Sequence, residues 1–237
     1  MITAVILYKN ESDKVLKRCL QSIFWCDETL VVIDAPIAGL RPAIKAKIFH
    51  RLLDGDFSSQ RNFALSKAKD GWVLFIDSDE VVSPALASEI SNIKPDFEGF
   101  YLKRRDVFWG KELKHGEAGS IKLLRLGKKD AGEWQRKVHE VWQINGPTKT
   151  LNNYLYHYPH PTISEFLSSI NNYTDIDILE QKKFSYFRLI FNPPGKFIYN
   201  YFLKLGFLDG YPGLVYAFMM SFHSLLVRVK MWESHGF

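Results

Sequence analysis

The stretch Gly71-Trp-Val-Leu-Phe-Ile-Asp-Ser-Asp-Glu-Val-Val82 decides the fold class. Residues 72–76 form an unbroken apolar run rich in β-formers, the pattern of a strand buried on both faces in a parallel sheet covered by helices. The run stops at Asp77-Ser78-Asp79-Glu80, three carboxylates at the carboxyl end of the strand. Ligands of open α/β sheets bind just outside the carboxyl ends of strands. Two aspartates separated by one residue can face a divalent cation, which takes hard oxygen ligands and neutralises a diphosphate. Asp and Ser also serve as turn formers and helix caps after strands, so the tetrapeptide needs support from the rest of the chain.

On the amino-terminal side, residues 2–8 read as a first parallel strand. An amphipathic helix over residues 12–24 follows, with Val15, Leu16, Cys19, Leu20 and Ile23 at helical spacing. A second buried strand, residues 29–33, ends at Asp34, whose carboxylate can accept hydrogen bonds from a base or ribose. This is a βαβ unit, with the right-handed crossover that such units adopt. No Gly-x-Gly-x-x-Gly follows the first strand, so the dinucleotide fingerprint is absent. Residues 44–53 read as a short helix or strand. A helix capped by Ser58 or Ser59 then carries Arg61 in its first turns, where the helix dipole alone disfavours a cation. Contact with a ligand phosphate is one explanation and ordinary solvation another.

After the acidic turn, Pro84 opens a helix to about residue 93, and residues 99–105 and 121–126 read as strands around a glycine-bearing loop at 114–120. His139-Glu140 lies between Val138 and Val141, as polar groups at a pocket edge or as ordinary strand alternation. His157 closes an aromatic strand, where imidazole serves as a metal ligand or as a hydrogen-bonded core group. Thr162 or Ser164 caps the next helix. From residue 184 to 232 the chain is rich in Phe, Tyr, Leu and Met interleaved with Lys and Arg, and is interrupted at Asn192-Pro-Pro-Gly195 and at residues 208–213. That interleaving suits helices lying in a membrane interface, while the charge-poor run 211–227 is slightly short for a span.

The 237 residues suffice for one large domain or a domain with an appendage, and the division is drawn at 1–175 and 176–237. Charged residues at 24% and hydrophobic ones at 46% exclude a disordered chain, and a net charge of +5 favours anionic ligands or surfaces without implying nucleic acid. Cys19 and Cys26, seven apart, are too distant for a local disulfide in a straight helix and suit a reducing cytosol. The opening residues lack the pattern of a signal peptide.

Taken in order, the opening strand with Lys9-Asn10-Glu11, Cys19-Leu20, the passage 23–32, Gln60-Arg61-Asn62, the 72–80 run, Val138-His-Glu140 and His157 resemble the family 2 glycosyltransferases of the GT-A fold over roughly residues 3–174. Phe207-Leu-Asp-Gly210 adds a resemblance to the lipopolysaccharide-core β-glycosyltransferases of bacteria. The resemblance implies a Rossmann-like α/β fold, mostly parallel, with a helical carboxyl-terminal extension. It implies transfer of a hexose from a nucleotide-sugar, with a UDP-sugar the first choice, to a lipid-linked or envelope glycan, with inversion to a β-linkage.

Asp77, Asp79 and His157 would hold Mg²⁺ or Mn²⁺. Tyr8, Asn10, Glu11, Asp34, Arg61, Asp77 and Ser78 would contact the donor. Glu140 would be the catalytic base, with His139 as its alternate. The segment Asp34-Ala-Pro-Ile-Ala-Gly39 departs from the Ser/Gly/Asp-rich loop of many relatives and weakens Asp34 as a contact. The implied location is cytoplasmic, on the inner face of the membrane, with a homodimer allowed and no nucleic acid partner. A sugar nucleotidyltransferase also uses paired aspartates but needs a glycine-rich phosphate loop. A non-catalytic glycan- or membrane-binding protein of the same fold is the remaining alternative.

Overall fold

The computed structural model describes residues 1–9, 12–34, 46–137, 140–159, 162–180 and 184–235. Its strands are β1 (Ile2–Tyr8), β2 (Glu28–Ile33), β3 (Lys47–His50), β4 (Trp72–Asp77), β5 (Glu80–Val82), β6 (Gly99–Phe108), β7 (Lys111–Glu112), β8 (Ile121–Lys128), β9 (Gly132–Gln135), β10 (Val141–Ile144) and β11 (Thr148–His157). Its helices are α1 (Asp13–Ser22), α2 (Phe57–Lys67), α3 (Pro84–Ser91), α4 (Ile163–Glu180), α5 (Tyr186–Ile198) and α6 (Tyr211–His235). The chain divides into two compact units, residues 1–104 with 122–157 and residues 105–121 with 158–237. The compositional boundary at 175 falls inside α4, because composition marks where aromatic residues concentrate and not which segments pack together.

In the first unit the sheet order is β3-β2-β1-β4-β8-β6-β11-β5. The pairs β1–β2, β1–β4 and β2–β3 are parallel, whereas β4–β8 and β11–β5 are antiparallel. The β1 run Thr-Ala-Val-Ile-Leu shows why this sheet must be covered on both faces. Ala4 and Ile6 pack with Leu16, Cys19 and Leu20 of α1 on one face. Val5 packs with Ala64 and Leu65 of α2, Phe75, Trp134 and Trp142 on the other. The two-residue period of a strand sends neighbours to opposite sides, so a continuous apolar run is stable only between two layers.

Local signals differ from expectation in several places. The α2 cap is Asp56, whose carboxylate accepts the Ser59 N–H; Ser58 and Ser59 lie inside the helix. Cys26 lies beyond α1, which ends at Ser22, and both cysteines are free. Ser83 caps α3, with Pro84 at its first position, where the missing N–H costs nothing. Thr162 Oγ1 accepts the Glu165 N–H at the start of α4, resolving the choice between Thr162 and Ser164.

The second unit is built on α4, α5 and α6 with the 105–121 segment. Phe108, Leu113, Ala118, Phe166, Ile170 and Met219 form its core. The expected break at Asn192-Pro-Pro-Gly195 does not occur: α5 runs through Pro193 and Pro194. A mid-helix proline removes a backbone bond, and here the Pro193 carbonyl accepts the Ser221 hydroxyl of α6 at 2.7 Å. Asp209 is buried and accepts both the backbone N–H and Nδ1 of His115, at 2.9 and 2.8 Å. Helix α6 is long and apolar enough to cross a membrane by length and composition alone.

Candidate active site

The site lies in the first unit, at the carboxyl end of β4. Its framework is the Gln60-Arg61-Asn62 segment of α2, in which each side chain has a separate task. Gln60 Nε2 donates to the Arg51 carbonyl at 2.8 Å. Asn62 grips β9 twice, donating from Nδ2 to the Trp134 carbonyl and accepting the Trp134 N–H, each at 2.8 Å. Arg61, only 2% exposed, points between them.

Arg61 Nη2 meets Asp77 Oδ1 at 2.9 Å and Arg61 Nε meets Glu140 Oε1 at 3.0 Å. The guanidinium lies over the ring of Trp134, 4.7 Å from its centroid, where the π face favours a cation. Trp134 in turn stacks on Trp142, and both meet Phe75 edge to face. The β9–β10 hairpin thus forms an aromatic wall for Arg61 and brings Glu140, just before β10, to the end of β4. Two carboxylates therefore offset a cation near the start of a helix, which the helix dipole alone would disfavour.

Arg125 on β8 supplies a second guanidinium, with Nη2 2.7 Å from Asp77 Oδ2. Both oxygens of Asp77 are thus engaged. Burial alone would raise the Asp77 carboxyl, but Arg125 and Arg61 outweigh it and hold the group well below the usual carboxylate range. Glu80 is fully buried and accepts the Asp77 N–H through Oε2 at 2.9 Å, while its Oε1 has no hydrogen-bond partner among the described residues. Burial, then the charge of Asp77, push the Glu80 carboxyl up to about 7. Cys19 Sγ lies 3.5 Å from the Asp77 carbonyl, and burial followed by the neighbouring carboxylates raises its thiol far above the range of a reactive thiolate.

Asp79 and His157 meet at the outer side of the turn, with Oδ2 and Nε2 3.3 Å apart. The antiparallel pairing of β5 and β11 sets His157 opposite Glu80. Among the described residues no cluster of three metal-ligating side chains exists. The geometry offers one carboxylate and one imidazole to a cation, with Asp77 already occupied by arginines.

The other expected donor contacts are less concentrated. Tyr8 and Ser78 are buried. Asp34 follows β2, and its Oδ1 accepts the Leu53 N–H at 2.6 Å, so one oxygen holds the loop backbone. Asn10, Glu11 and His139 lie outside the described residues. Sequence reasoning gave no role to Arg125, Glu80 or the Trp134–Trp142 wall. An arginine between Leu124 and Leu126 in an apolar strand was the available signal for Arg125.

The family model described as Glycosyl transferase family 2 matches residues 3–153, which includes every residue of this cluster except His157. The chain belongs to glycosyl transferase family 2. This glycosyltransferase is 26% identical to an uncharacterised glycosyltransferase of Rickettsia typhi, across 98% of the chain and 87% of the relative. It is 25% identical to the lipopolysaccharide core biosynthesis glycosyltransferase LpsC of Rhizobium meliloti, across 99% and 93%. It is also similar to the solved structure of S. aureus TarS 1–349 in complex with UDP-GlcNAc. That match has a TM-score of 0.48 and 15% identity, and covers 95% of this chain and 82% of that one. The chain spans 40% of a longer TarS chain.

Proposed function

We propose that this glycosyltransferase moves a hexose from a nucleotide-sugar to a hydroxyl of a lipid-linked or cell-envelope glycan, with inversion to a β-linkage. A UDP-sugar is the expected donor and a lipopolysaccharide-core saccharide the expected acceptor, at the cytoplasmic face of the membrane. The observation that carries this reading is the Arg61 bridge, which puts Glu140 beside the acidic end of β4 without placing it among the cation-facing groups.

Glu140 has one oxygen fixed by Arg61, and its Oε2 has no hydrogen-bond partner among the described residues. That free oxygen takes the proton of the acceptor hydroxyl. The hydroxyl oxygen then bonds to the anomeric carbon as the carbon–oxygen bond to the diphosphate breaks, and the electron pair leaves with the diphosphate. A single in-line displacement on an α-linked donor gives a β-linked product.

Asp79 and His157 fit a divalent cation, because a hard carboxylate oxygen and an imidazole nitrogen already lie side by side. Mg²⁺ or Mn²⁺ bound there would neutralise charge on the leaving diphosphate, with phosphate and water oxygens completing its shell. Asp77 holds Arg61 and Arg125 and so fixes the frame instead of ligating.

A panel of sugar nucleotides tests this reading, with binding and hydrolysis measured with and without Mn²⁺ on the wild type and on Asp79→Ala. The reading requires one donor that binds with metal and is lost in Asp79→Ala. Absence of binding by every donor in the presence of metal overturns it.

A further inference from the structure

The second unit contains a cleft of about 380 Å³ between α4, α5 and α6, lined among others by Asp177, Asn192, Lys196, Tyr199, His223 and Arg228. One of its charges is matched by an ion pair, and burial keeps the His223 imidazole beside Asp177 from gaining a proton readily. Lys196 Nζ pairs with Glu117 Oε1 at 2.6 Å, and His223 Nε2 lies 3.3 Å from Asp177 Oδ2. Arg228 differs. Its Nη1 donates to the Ser224 carbonyl at 2.6 Å and to Ser224 Oγ at 3.0 Å. With the Asn192 amide turned so that its oxygen faces the guanidinium, that oxygen accepts from Nη2 at 2.6 Å and Nε at 3.1 Å.

The guanidinium is therefore held in place by neutral groups alone, and among the described residues it has no carboxylate partner. Burial, then the positive charge of Arg188, make its proton easier to lose. Arg228 thus lines the cleft with no carboxylate bonded to it among the described residues, and the charge of Arg188 is near enough to act on it, an arrangement that a bound anion stabilises.

The helix that carries Arg188 is apolar on its outer side. Phe187 is 67% exposed and Ile190 63%, and Phe191 extends from this ridge into the cleft lining. The Phe187 and Phe191 rings lie 4.4 Å apart. Exposed aromatic side chains on a helix, next to fixed cations, match the two ends of an amphiphile: acyl chain against the ridge, phosphate against the arginines.

We infer that the α5–α6 cleft is a headgroup site for an anionic phospholipid, with Arg228 and Arg188 on the phosphate and the Phe187–Ile190–Phe191 ridge in the acyl boundary. This rests on the membrane-surface part of the functional reading and not on the transfer chemistry.

The test is flotation of the full chain with phosphatidylcholine vesicles with and without phosphatidylglycerol, in parallel with titration of inorganic phosphate. The expected result is recruitment by the anionic vesicles, reduced by about fivefold or more in Arg228→Gln and again in the surface variant Arg188→Gln. Phe187→Ser reduces it as well, and Lys122→Gln, an exposed charge change in the first unit, leaves it in place. Equal loss in Lys122→Gln, or recruitment by both vesicle types alike, overturns the site. Phosphate binding that depends on Arg228 without any recruitment to vesicles also overturns it, in favour of a free phosphate ligand. Sugar-nucleotide hydrolysis followed in the same samples separates the two readings. Its loss with vesicle binding intact counts against the transferase chemistry only, and the reverse against this inference only.

Discussion

Arg61 and Glu140 stand seventy-nine positions apart in the chain and meet at 3.0 Å, Nε to Oε1. That contact closes the site. One end is a helix that packs beneath the sheet, the other is the residue before a hairpin strand, and the same guanidinium also reaches Asp77 at the end of the central strand. Positional order in the candidate site thus comes from a buried cation shared by two carboxylates.

Removing that cation leaves both carboxylates without their partner. Arg61→Ala should lower stability by about 2–3 kcal/mol, somewhat less than a fully buried pair would lose because Asp77 and Glu140 retain contact with water. Chemical denaturation checks the value. Arg61→Lys should recover only part of it, since one ammonium cannot reproduce two guanidinium bonds made in one plane.

Asn62 makes no contact with the acidic cluster, yet it fixes the strand that leads to Glu140. Asn62→Ala breaks two hydrogen bonds to Trp134 and should cost about 1–3 kcal/mol. Transfer should fall more than donor affinity, because the two bonds hold β9, which leads to Glu140, while Asp79 and His157 lie on other elements. Unfolding curves and donor titration on one preparation separate these effects.

Asp77 and Asp79 should behave differently although they are two residues apart. Asp79→Asn is expected to keep its stability and lose Mn²⁺ binding, read by the free-ion signal in electron paramagnetic resonance. Asp77→Asn is expected to lose stability, because Arg61 and Arg125 then face a neutral amide.

Glu89 on α3 accepts the backbone N–H groups of Asn152 and Asn153 and so holds β11, the strand that ends at His157. Burial alone would raise this carboxyl, and those backbone hydrogen bonds outweigh it and lower it. A lowered folded value stabilises the protein above the unfolded value of about 4.3, and that stability is lost as pH falls through the folded value. The stability gap between wild type and Glu89→Gln should therefore narrow as pH drops from neutrality to about 3. A gap that widens would contradict this.

The parallel half of the sheet was legible because each strand is an unbroken apolar run, and such runs have few alternatives. The acidic turn was legible because carboxylates at a strand end are conspicuous. Arg125 was not, since its meaning depends on the antiparallel register that sets Leu126 beside Leu74, and nothing local to residues 121–128 encodes that partner. The Asp56 cap was missed for a different reason: Ser58 and Ser59, two and three residues on, can also accept a backbone N–H, and only backbone geometry separates the three. Pro193 and Pro194 read as a break because helix propensity is local, whereas α5 is held by packing on α6.

The central claim is that Glu140, oriented by Arg61, takes the acceptor proton. Its most direct test is Glu140→Gln, which keeps the side-chain volume and an oxygen for Arg61 Nε but removes the basic group. Donor affinity measured by calorimetry should remain at the wild-type value, with transfer to the acceptor reduced about 10²–10⁴-fold. Transfer at the wild-type rate would contradict the account.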